Sequence, residues 1–286
     1  MPFINSGDLN VHYIENGTQG GLGTIVFVHG NWATSSWWEP VLASPLTKPW
    51  HGIAYDVRGR GRTTGPDSDY SIPSLAGDLG SFIDALGIEV PHLVGHSLGS
   101  AIVMQFALDH PAKVRSLTVA APAWVDGMPN PPGAVERQRK LKDDGAAFYE
   151  AMSWLCPSMP IGGFWIRLLM EGHEQRWEAA RANVDALANW RPGKRLGDIP
   201  CPKLVIGGEQ DPLVNAMIVE KAAAALGALR VLMPGVDHGL IIEQSETLAT
   251  YMAEFIMTVN HPRGEGKRGG TVKVSAPWRG DQGNSG

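Results

Sequence analysis

The chain has 286 residues, of which 43% are hydrophobic and 19% charged, and its formal net charge is −5. A chain of this length and composition can bury a sizeable core, and it lacks a run of about 18 apolar residues, so neither a disordered protein nor a membrane-spanning helix fits. It also lacks a basic stripe interleaved with aromatic residues, which argues against a nucleic-acid surface and favours a small-molecule partner.

Short apolar segments rich in Val, Ile and Leu alternate with helical patterns along the chain. This alternation is typical of βαβ units and predicts an α/β fold with a mostly parallel central sheet flanked by helices. In chain order, the predicted strands are 9–14, 24–28, 52–55, 92–94, 114–120, 203–206 and 229–232. The predicted amphipathic helices are 74–86, 98–109, 216–226 and 247–259.

Residues 123–196 interrupt this pattern. The strand after 114–120 should begin within roughly 30 residues in a plain βαβ unit, whereas the next apolar segment begins only at Lys203. Helical patterns over 134–155 and 174–190, with the apolar segment 164–170 between them, predict a helical cap. We therefore divide the chain into an α/β core (1–122 and 197–260), a helical cap (123–196) and a Gly-rich segment (261–286) expected to be a flexible tail or vector-derived sequence.

The segment Gly95-His96-Ser97-Leu98-Gly99 lies between a predicted strand and a predicted helix. The pattern G-x-S-x-G is weak by itself, but the strand–turn–helix setting is the one that a nucleophile elbow requires. A serine hydroxyl is a poor nucleophile at neutral pH and needs a base that is oriented by a third group. Ser97 is therefore the predicted nucleophile.

His238 and Asp211 are the predicted base and acid. His238 follows the last predicted strand and Asp211 follows the preceding one, which gives the chain order Ser, Asp, His. Asp126, after the strand 114–120, is the alternative acid, whereas Asp237 is adjacent to the base and poorly placed to orient its ring.

Four segments together resemble the α/β-hydrolase superfamily of serine hydrolases. They are Val28-His29-Gly30-Asn31-Trp32, Asp56-Val57-Arg58-Gly59-Arg60-Gly61, the Ser97 elbow, and the loops that carry Asp211 and His238. The resemblance covers nearly the whole chain before residue 261. It implies an α/β-hydrolase fold with a helical cap and a Ser97–His238–Asp211 catalytic triad.

The resemblance also implies an oxyanion hole formed by the backbone N–H groups of Asn31 and Leu98. Such donors stabilise the charge that develops on the carbonyl oxygen during acyl transfer. Beside them, His29 is expected to brace the oxyanion loop and His96 to serve packing. The arginines at 58, 60 and 62 are expected to hold their loop, with a substrate-carboxylate anchor as the alternative.

Ten Trp residues, most of them within 32–50 and 124–190, indicate an aromatic ligand cavity. We expect a mainly apolar, medium-sized substrate. The expected lining residues from the oxyanion side and the cap are Trp32, Trp37, Trp124, Trp154, Met159, Phe164 and Trp165.

The sequence predicts no metal site, because its histidines lack paired metal-ligand spacing such as HExxH. No cofactor is expected either. Cys156 and Cys201 are expected to be reduced and at least partly buried. The first residues lack the basic and apolar regions of a signal peptide, so a cytoplasmic location is expected. The expected partner is a small-molecule ester or lactone, without nucleic acid or membrane, and the sequence does not indicate an oligomeric state.

Hydrolysis of a carboxylic ester or lactone through an acyl-enzyme is the leading interpretation. A serine at the elbow excludes the displacement chemistry of haloalkane dehalogenases and epoxide hydrolases, which have an aspartate there. A carbon–carbon bond hydrolase is disfavoured because Gly239, instead of the Trp typical of those enzymes, follows His238. A cofactor-free perhydrolase or haloperoxidase-like enzyme stays open, as does a ligand-sensing receptor that keeps the triad but turns over slowly.

Overall fold

The structure, a computed structural model that describes residues 2–260, is built around a sheet of eight strands within that range. The strands are β1 (Phe3–Ser6), β2 (Leu9–Gly17), β3 (Thr24–Val28), β4 (His51–Tyr55), β5 (His92–Ser97), β6 (Ser116–Pro122), β7 (Lys203–Gly208) and β8 (Leu229–Met233). Their spatial order is β1-β2-β4-β3-β5-β6-β7-β8. The strand β2 is antiparallel to β1 and β4, and the strands from β4 to β8 in this order are parallel. The predicted α/β fold is therefore confirmed, and β1 is a strand that the apolar pattern did not predict.

Helices cover both faces of the sheet. Alternate residues of a strand point to opposite faces, so Val26 and Val28 of β3 join one hydrophobic cluster whereas Ile25 and Phe27 join the other. The helices are α1 (Glu39–Ala43), α2 (Ile72–Ala85), α3 (Leu98–Asp109), α4 (Ala134–Asp143), α5 (Gly145–Leu155), α6 (Gly163–His173), α7 (Trp177–Asn189), α8 (Ala216–Leu226), α9 (Leu240–Glu243) and α10 (Ser245–Asn260).

The insertion between β6 and β7 contains the helices α4 to α7. The predicted helix over 134–155 is in fact two helices, because the Asp144 side chain caps α5 by accepting hydrogen bonds from the N–H groups of Ala146 and Ala147. The apolar segment 164–170 lies within α6, and the pattern over 174–190 corresponds to α7. The boundaries of the cap at 123 and 196 stay a prediction.

Polar contacts attach this insertion to the loop after β3 and to α1. Arg167 of α6 forms an ion pair with Glu39 of α1, and Thr34 donates a hydrogen bond to Glu171 at 3.0 Å. The Gln175 side chain accepts a hydrogen bond from the Trp32 N–H at 3.1 Å. The cap helices are thus attached to the loop after β3, at the carboxyl edge of the parallel strands.

Across the described range, every helix is too short or too polar to cross a membrane. The predicted tail, 261–286, lies outside the described residues.

Candidate functional site

Ser97 lies at the sharp turn between β5 and α3. Its backbone φ of 53° is in the left-handed region, which a non-glycine residue rarely adopts. The flanking glycines are required by close packing: a Cβ on Gly95 would lie 2.4 Å from the Gly99 carbonyl oxygen, and one on Gly99 would lie 2.2 Å from the Val28 carbonyl oxygen. The G-x-S-x-G pattern thus allows β5, α3 and the end of β3 to approach closely while Ser97 is held at the cavity.

Three side chains from three loops form one line of hydrogen bonds. The Ser97 Oγ lies 3.1 Å from the His238 Nε2, and the His238 Nδ1 lies 2.7 Å from the Asp211 Oδ2. The Asp211 side chain is fully buried and that of His238 is 7% exposed. An imidazole in this arrangement can accept the proton of the hydroxyl while the carboxylate fixes its tautomer.

Further hydrogen bonds hold the acid and the imidazole in place. The second carboxylate oxygen of Asp211 accepts hydrogen bonds from the N–H groups of Leu213 and Val214, at 2.8 and 2.7 Å. The His96 Nε2 lies 2.9 Å from the His238 carbonyl oxygen, so this nitrogen carries the proton and donates it. Burial lowers the pKa of His96 to about 3, so its ring is neutral and positions the backbone of His238.

The other carboxylates considered from the sequence lie elsewhere. Asp126 is exposed and forms an ion pair with Lys221. Asp237 accepts a hydrogen bond from the Ser158 hydroxyl at 3.0 Å. Within residues 2–260, Asp211 is therefore the carboxylate that contacts the His238 ring.

The predicted oxyanion-hole residues lie beside Ser97 in the same cavity. Leu98 is the first residue of α3, where backbone N–H groups have no acceptor in a preceding helical turn. The Asn31 N–H makes no hydrogen bond to any residue that the structure describes, whereas the next N–H, of Trp32, donates to Gln175. The N–H of Asn31 is thus available to a ligand.

His29 braces the same loop from below. The Val57 N–H donates to the His29 Nε2 at 3.0 Å, so the proton is on the Nδ1, which donates to the Gly30 carbonyl oxygen at 2.8 Å. Burial lowers the pKa of His29 to about 4, and the ring is therefore neutral. A neutral ring with both nitrogens in use fits the expected structural role.

A cavity of about 880 Å³ lies above Ser97, between the sheet edge and the helices α4, α5 and α7. Four of the expected aromatic lining residues contribute to its wall: Trp32, Trp37, Trp124 and Trp154. The sequence did not single out the polar residues that α4 and α7 add, because solvated helix faces carry the same residue types. They are Arg137, Gln138, Lys140 and Asn183.

Three expected lining residues lie away from the cavity, which corrects their assignment. Trp165 is buried at 1% exposure, where it packs edge-on against Trp37. Phe164 is 37% exposed and lies under the Arg167 guanidinium. Met159 packs at the margin of a hydrophobic cluster. The sequence pattern showed that these side chains are apolar but not which way each one faces.

Residues 2–260 contain no group of three His, Cys, Asp or Glu side chains arranged to hold a metal ion. Cys156 and Cys201 are both free and buried, and burial raises the pKa of each thiol.

The chain is similar to known proteins over most of its length. A family model described as "Alpha/beta hydrolase family" matches residues 25–250. A protein from Variovorax paradoxus named as a carbamate hydrolase, RutD, is 28% identical over 262 residues, which are 88% of this chain and 98% of that protein.

Two solved structures are also similar. The enol-lactonase of Burkholderia xenovorans LB400 has a TM-score of 0.76 and 24% identity, over 90% of this chain and 100% of that chain. Est816, described as an N-acyl homoserine lactone degrading enzyme, has a TM-score of 0.74 and 25% identity, over 89% of this chain and 100% of that chain.

Proposed function

Because this chain belongs to the alpha/beta hydrolase family, we propose that it is a serine hydrolase that cleaves a carboxylic ester or lactone of a mainly apolar small molecule. The observation that carries the proposal is the line of hydrogen bonds from Asp211 through His238 to Ser97 at the base of a mainly apolar cavity. A nucleophile, a base and an orienting acid in contact are what acyl transfer requires.

In the proposed reaction, the Ser97 Oγ attacks the substrate carbonyl carbon while the His238 Nε2 takes the hydroxyl proton. The N–H groups of Asn31 and Leu98 hold the resulting oxyanion. The tetrahedral intermediate then expels the alcohol, which receives the proton from His238, and an acyl-enzyme remains. Water, deprotonated by His238, attacks the acyl carbon and releases the acid and the free serine.

The substrate class is inferred from the wall of the cavity. Trp32, Trp37 and Trp124 with neighbouring aliphatic side chains supply most of the wall, which suits an apolar acyl or lactone body. The similarity to a lactone-degrading enzyme supports the lactone branch.

Carbamate hydrolysis is a second candidate, since a relative is named as a carbamate hydrolase. The carbonyl of a carbamate can be attacked by the same groups in the same order. The mainly apolar wall favours the ester or lactone, because a small polar carbamate would leave much of an 880 Å³ cavity unfilled.

The test is a rate comparison across p-nitrophenyl esters and lactones of graded chain length, with a small carbamate in the same series. We expect saturable turnover of the esters or lactones, with the highest kcat/KM for an apolar acyl group, and its abolition in Ser97→Ala. Turnover of the carbamate alone would establish the second candidate. Ligand-induced stabilisation with negligible turnover would show a sensor, and turnover by folded Ser97→Ala would overturn the proposed nucleophile.

A further inference from the structure

Arg60 is a buried cation in the loop after β4. It is 1% exposed, and no carboxylate within residues 2–260 lies within ion-pair distance of it. Its guanidinium donates to the Arg58 carbonyl oxygen at 2.8 Å and to the Asn183 Oδ1 at 2.6 Å. Burial lowers its pKa to about 10, so it still carries its charge at neutral pH. A buried charge without a counter-ion is costly, and the two oxygens that accept from Arg60 offset part of that cost.

The contact with Arg60 fixes the orientation of the Asn183 amide. A guanidinium only donates hydrogen bonds, so the amide oxygen of Asn183 must face Arg60 and its Nδ2 must face the other way. The Asn183 Nδ2 donates to the Asn31 Oδ1. The amide of Asn31 is therefore fixed as well, with its oxygen engaged and its own Nδ2 free of any hydrogen bond to the described residues.

Asn31 and Asn183 both line the cavity that contains Ser97, and Asn183 is 2% exposed. We propose that Asn183 is a positioning residue: backed by Arg60, it holds the Asn31 side chain so that its Nδ2 donates to the carbonyl oxygen of the substrate. This inference rests on the proposed function and adds a side-chain donor to the two backbone donors. The positive charge of Arg60 polarises both amides in the direction that strengthens this donor.

The line of contacts also joins two parts of the fold. Asn183 belongs to α7 in the insertion, whereas Asn31 follows β3 and Arg60 follows β4. The donor is thus correctly oriented only when α7 is in place over the sheet edge. The cap then contributes to the rate of the chemical step as well as to substrate fit.

Asn183→Asp tests the proposal in the full chain. An aspartate at 183 still accepts from Arg60 but cannot donate to the Asn31 Oδ1, so the Asn31 amide turns and presents its oxygen to the substrate. One oxyanion donor is worth about 10²- to 10³-fold in rate, and the two backbone donors remain in this variant, so we expect kcat for the best ester to fall by roughly 10- to 100-fold with KM changed little. The melting temperature should not fall, because Arg60 gains a counter-ion.

Asn189→Asp is the matched control. It makes the same chemical change on the same helix, but at an exposed residue of α7 outside the cavity wall. We expect kcat and KM of the control to stay at the native values. A kcat of Asn183→Asp within twofold of the control would overturn the proposal, as would a rise in KM without a loss in kcat.

A second variant keeps the test decisive if Asn183→Asp does not fold. Asn31→Ala removes the side-chain donor from a partly exposed loop residue while its backbone N–H remains. We expect the same loss in kcat, and weaker inhibition by phenylboronic acid, whose tetrahedral adduct with a serine imitates the oxyanion. The double variant should lose little more than either single variant, because both remove one interaction. Losses that multiply would overturn the proposal, and so would unchanged kcat in Asn31→Ala.

The outcome of Asn183→Asp can be distinguished from a failure of the proposed function by comparing it with Ser97→Ala. If Ser97→Ala abolishes turnover while Asn183→Asp leaves kcat unchanged, the chain is a serine hydrolase whose side-chain donor we have misassigned. If Ser97→Ala retains turnover, the proposed function is itself wrong, whatever the kcat of Asn183→Asp.

Discussion

At the scale of single residues, the Asp211 carboxylate has two distinct contacts that a substitution can separate. One oxygen holds the His238 Nδ1, and the other accepts from the N–H groups of Leu213 and Val214. Asp211→Asn can keep the second set through its amide oxygen, so the loop should stay folded. We expect kcat to fall by about 10⁴-fold, because the amide favours the wrong imidazole tautomer.

Asp126→Asn is the control for this prediction, since Asp126 lies at the surface against Lys221. Steady-state kinetics on the same ester should give native values for the control. A mild loss in Asp211→Asn together with a large loss in Asp126→Asn would contradict the assignment of the acid.

Ser97 and Ser100 offer a second comparison of neighbouring residues. The Ser100 hydroxyl donates to the Ser97 carbonyl oxygen and accepts from the Ala123 N–H at 2.8 Å, so it is occupied in joining α3 to the end of β6. A fluorophosphonate probe should therefore label Ser97 alone, as read by peptide mass spectrometry. Label on Ser100, or on folded Ser97→Ala, would show that another serine is the nucleophile.

The residues of the site differ in how far the sequence could identify them. Ser97, Asp211 and His238 follow strands of a parallel sheet, and the carboxyl ends of such strands meet at one edge, so their meeting could be predicted. Trp165 could not be excluded from the cavity, because its facing depends on how α6 packs on Trp37. Asn183 could not be found at all, since a polar residue in a helical pattern gives no sign of a buried partner.

At the scale of elements, glycines in two helices have opposite surroundings. Gly99 of α3 lies against the Val28 carbonyl oxygen, whereas a Cβ on Gly77 of α2 would meet no atom within 4 Å beyond its chain neighbours and the adjacent backbone of its own helix. We expect Gly99→Ala to lower the free energy of unfolding by at least about 2 kcal/mol through backbone displacement. Gly77→Ala should raise it by about 0.5–1 kcal/mol, because alanine is the better helix former.

Urea denaturation of the two variants measures both effects on one scale. A shift of the urea midpoint in the same direction for both substitutions would contradict this prediction.

The contact between α9 and the segment after α5 should respond to pH. The Glu243 Oε1 accepts from the Ser158 N–H at 3.1 Å, and its Oε2 is buried without a partner among the described residues. Burial, with help from the charge of Asp237, raises the pKa of Glu243 from 4.5 to about 7. Between these values the folded chain binds more protons than the unfolded chain, so stability from this residue should fall as pH rises from 4.5 to 7.

Glu243→Gln removes this ionisation while a side-chain oxygen remains for Ser158. We expect its melting temperature to exceed the native one at pH 8 and to match it near pH 4.5, close to the ordinary pKa of the carboxyl. Glu254→Gln, an exposed change on α10, is the control and should leave the native pH profile unchanged. A native profile in Glu243→Gln would contradict the raised pKa.

The order of elements was largely predictable, and the exceptions have local causes. Strands that are buried on both faces are continuously apolar, so β3 to β7 are visible in the sequence. The edge strand β1 is short and partly exposed, which leaves a weaker apolar signal. The break between α4 and α5 depends on Asp144 as a helix cap, and the apolar periodicity on either side conceals it.

At the scale of the whole molecule, the described residues 2–260 contain the complete hydrogen-bond line, the cavity wall and the helices that cover both faces of the sheet. The last of the described helices, α10, spans Ser245–Asn260. Buried residues of α10, such as Leu248 and Ile256, pack into the hydrophobic cluster that includes β3 residues, so the helix itself is required.

A chain that stops after Asn260 should therefore keep the native kcat/KM within about twofold, and its melting temperature should change little, since residues 2–260 already form the hydrogen-bond line, the wall of the described cavity and the two hydrophobic clusters. A chain that stops before α10, after Gln244, is the control and should lose its cooperative unfolding transition, because apolar surface of the core would be exposed to water. Steady-state kinetics and thermal unfolding of the two truncations separate the outcomes. Loss of activity in the first truncation, with folding retained, would show that residues 261–286 take part in substrate binding and that the site is larger than the described cavity.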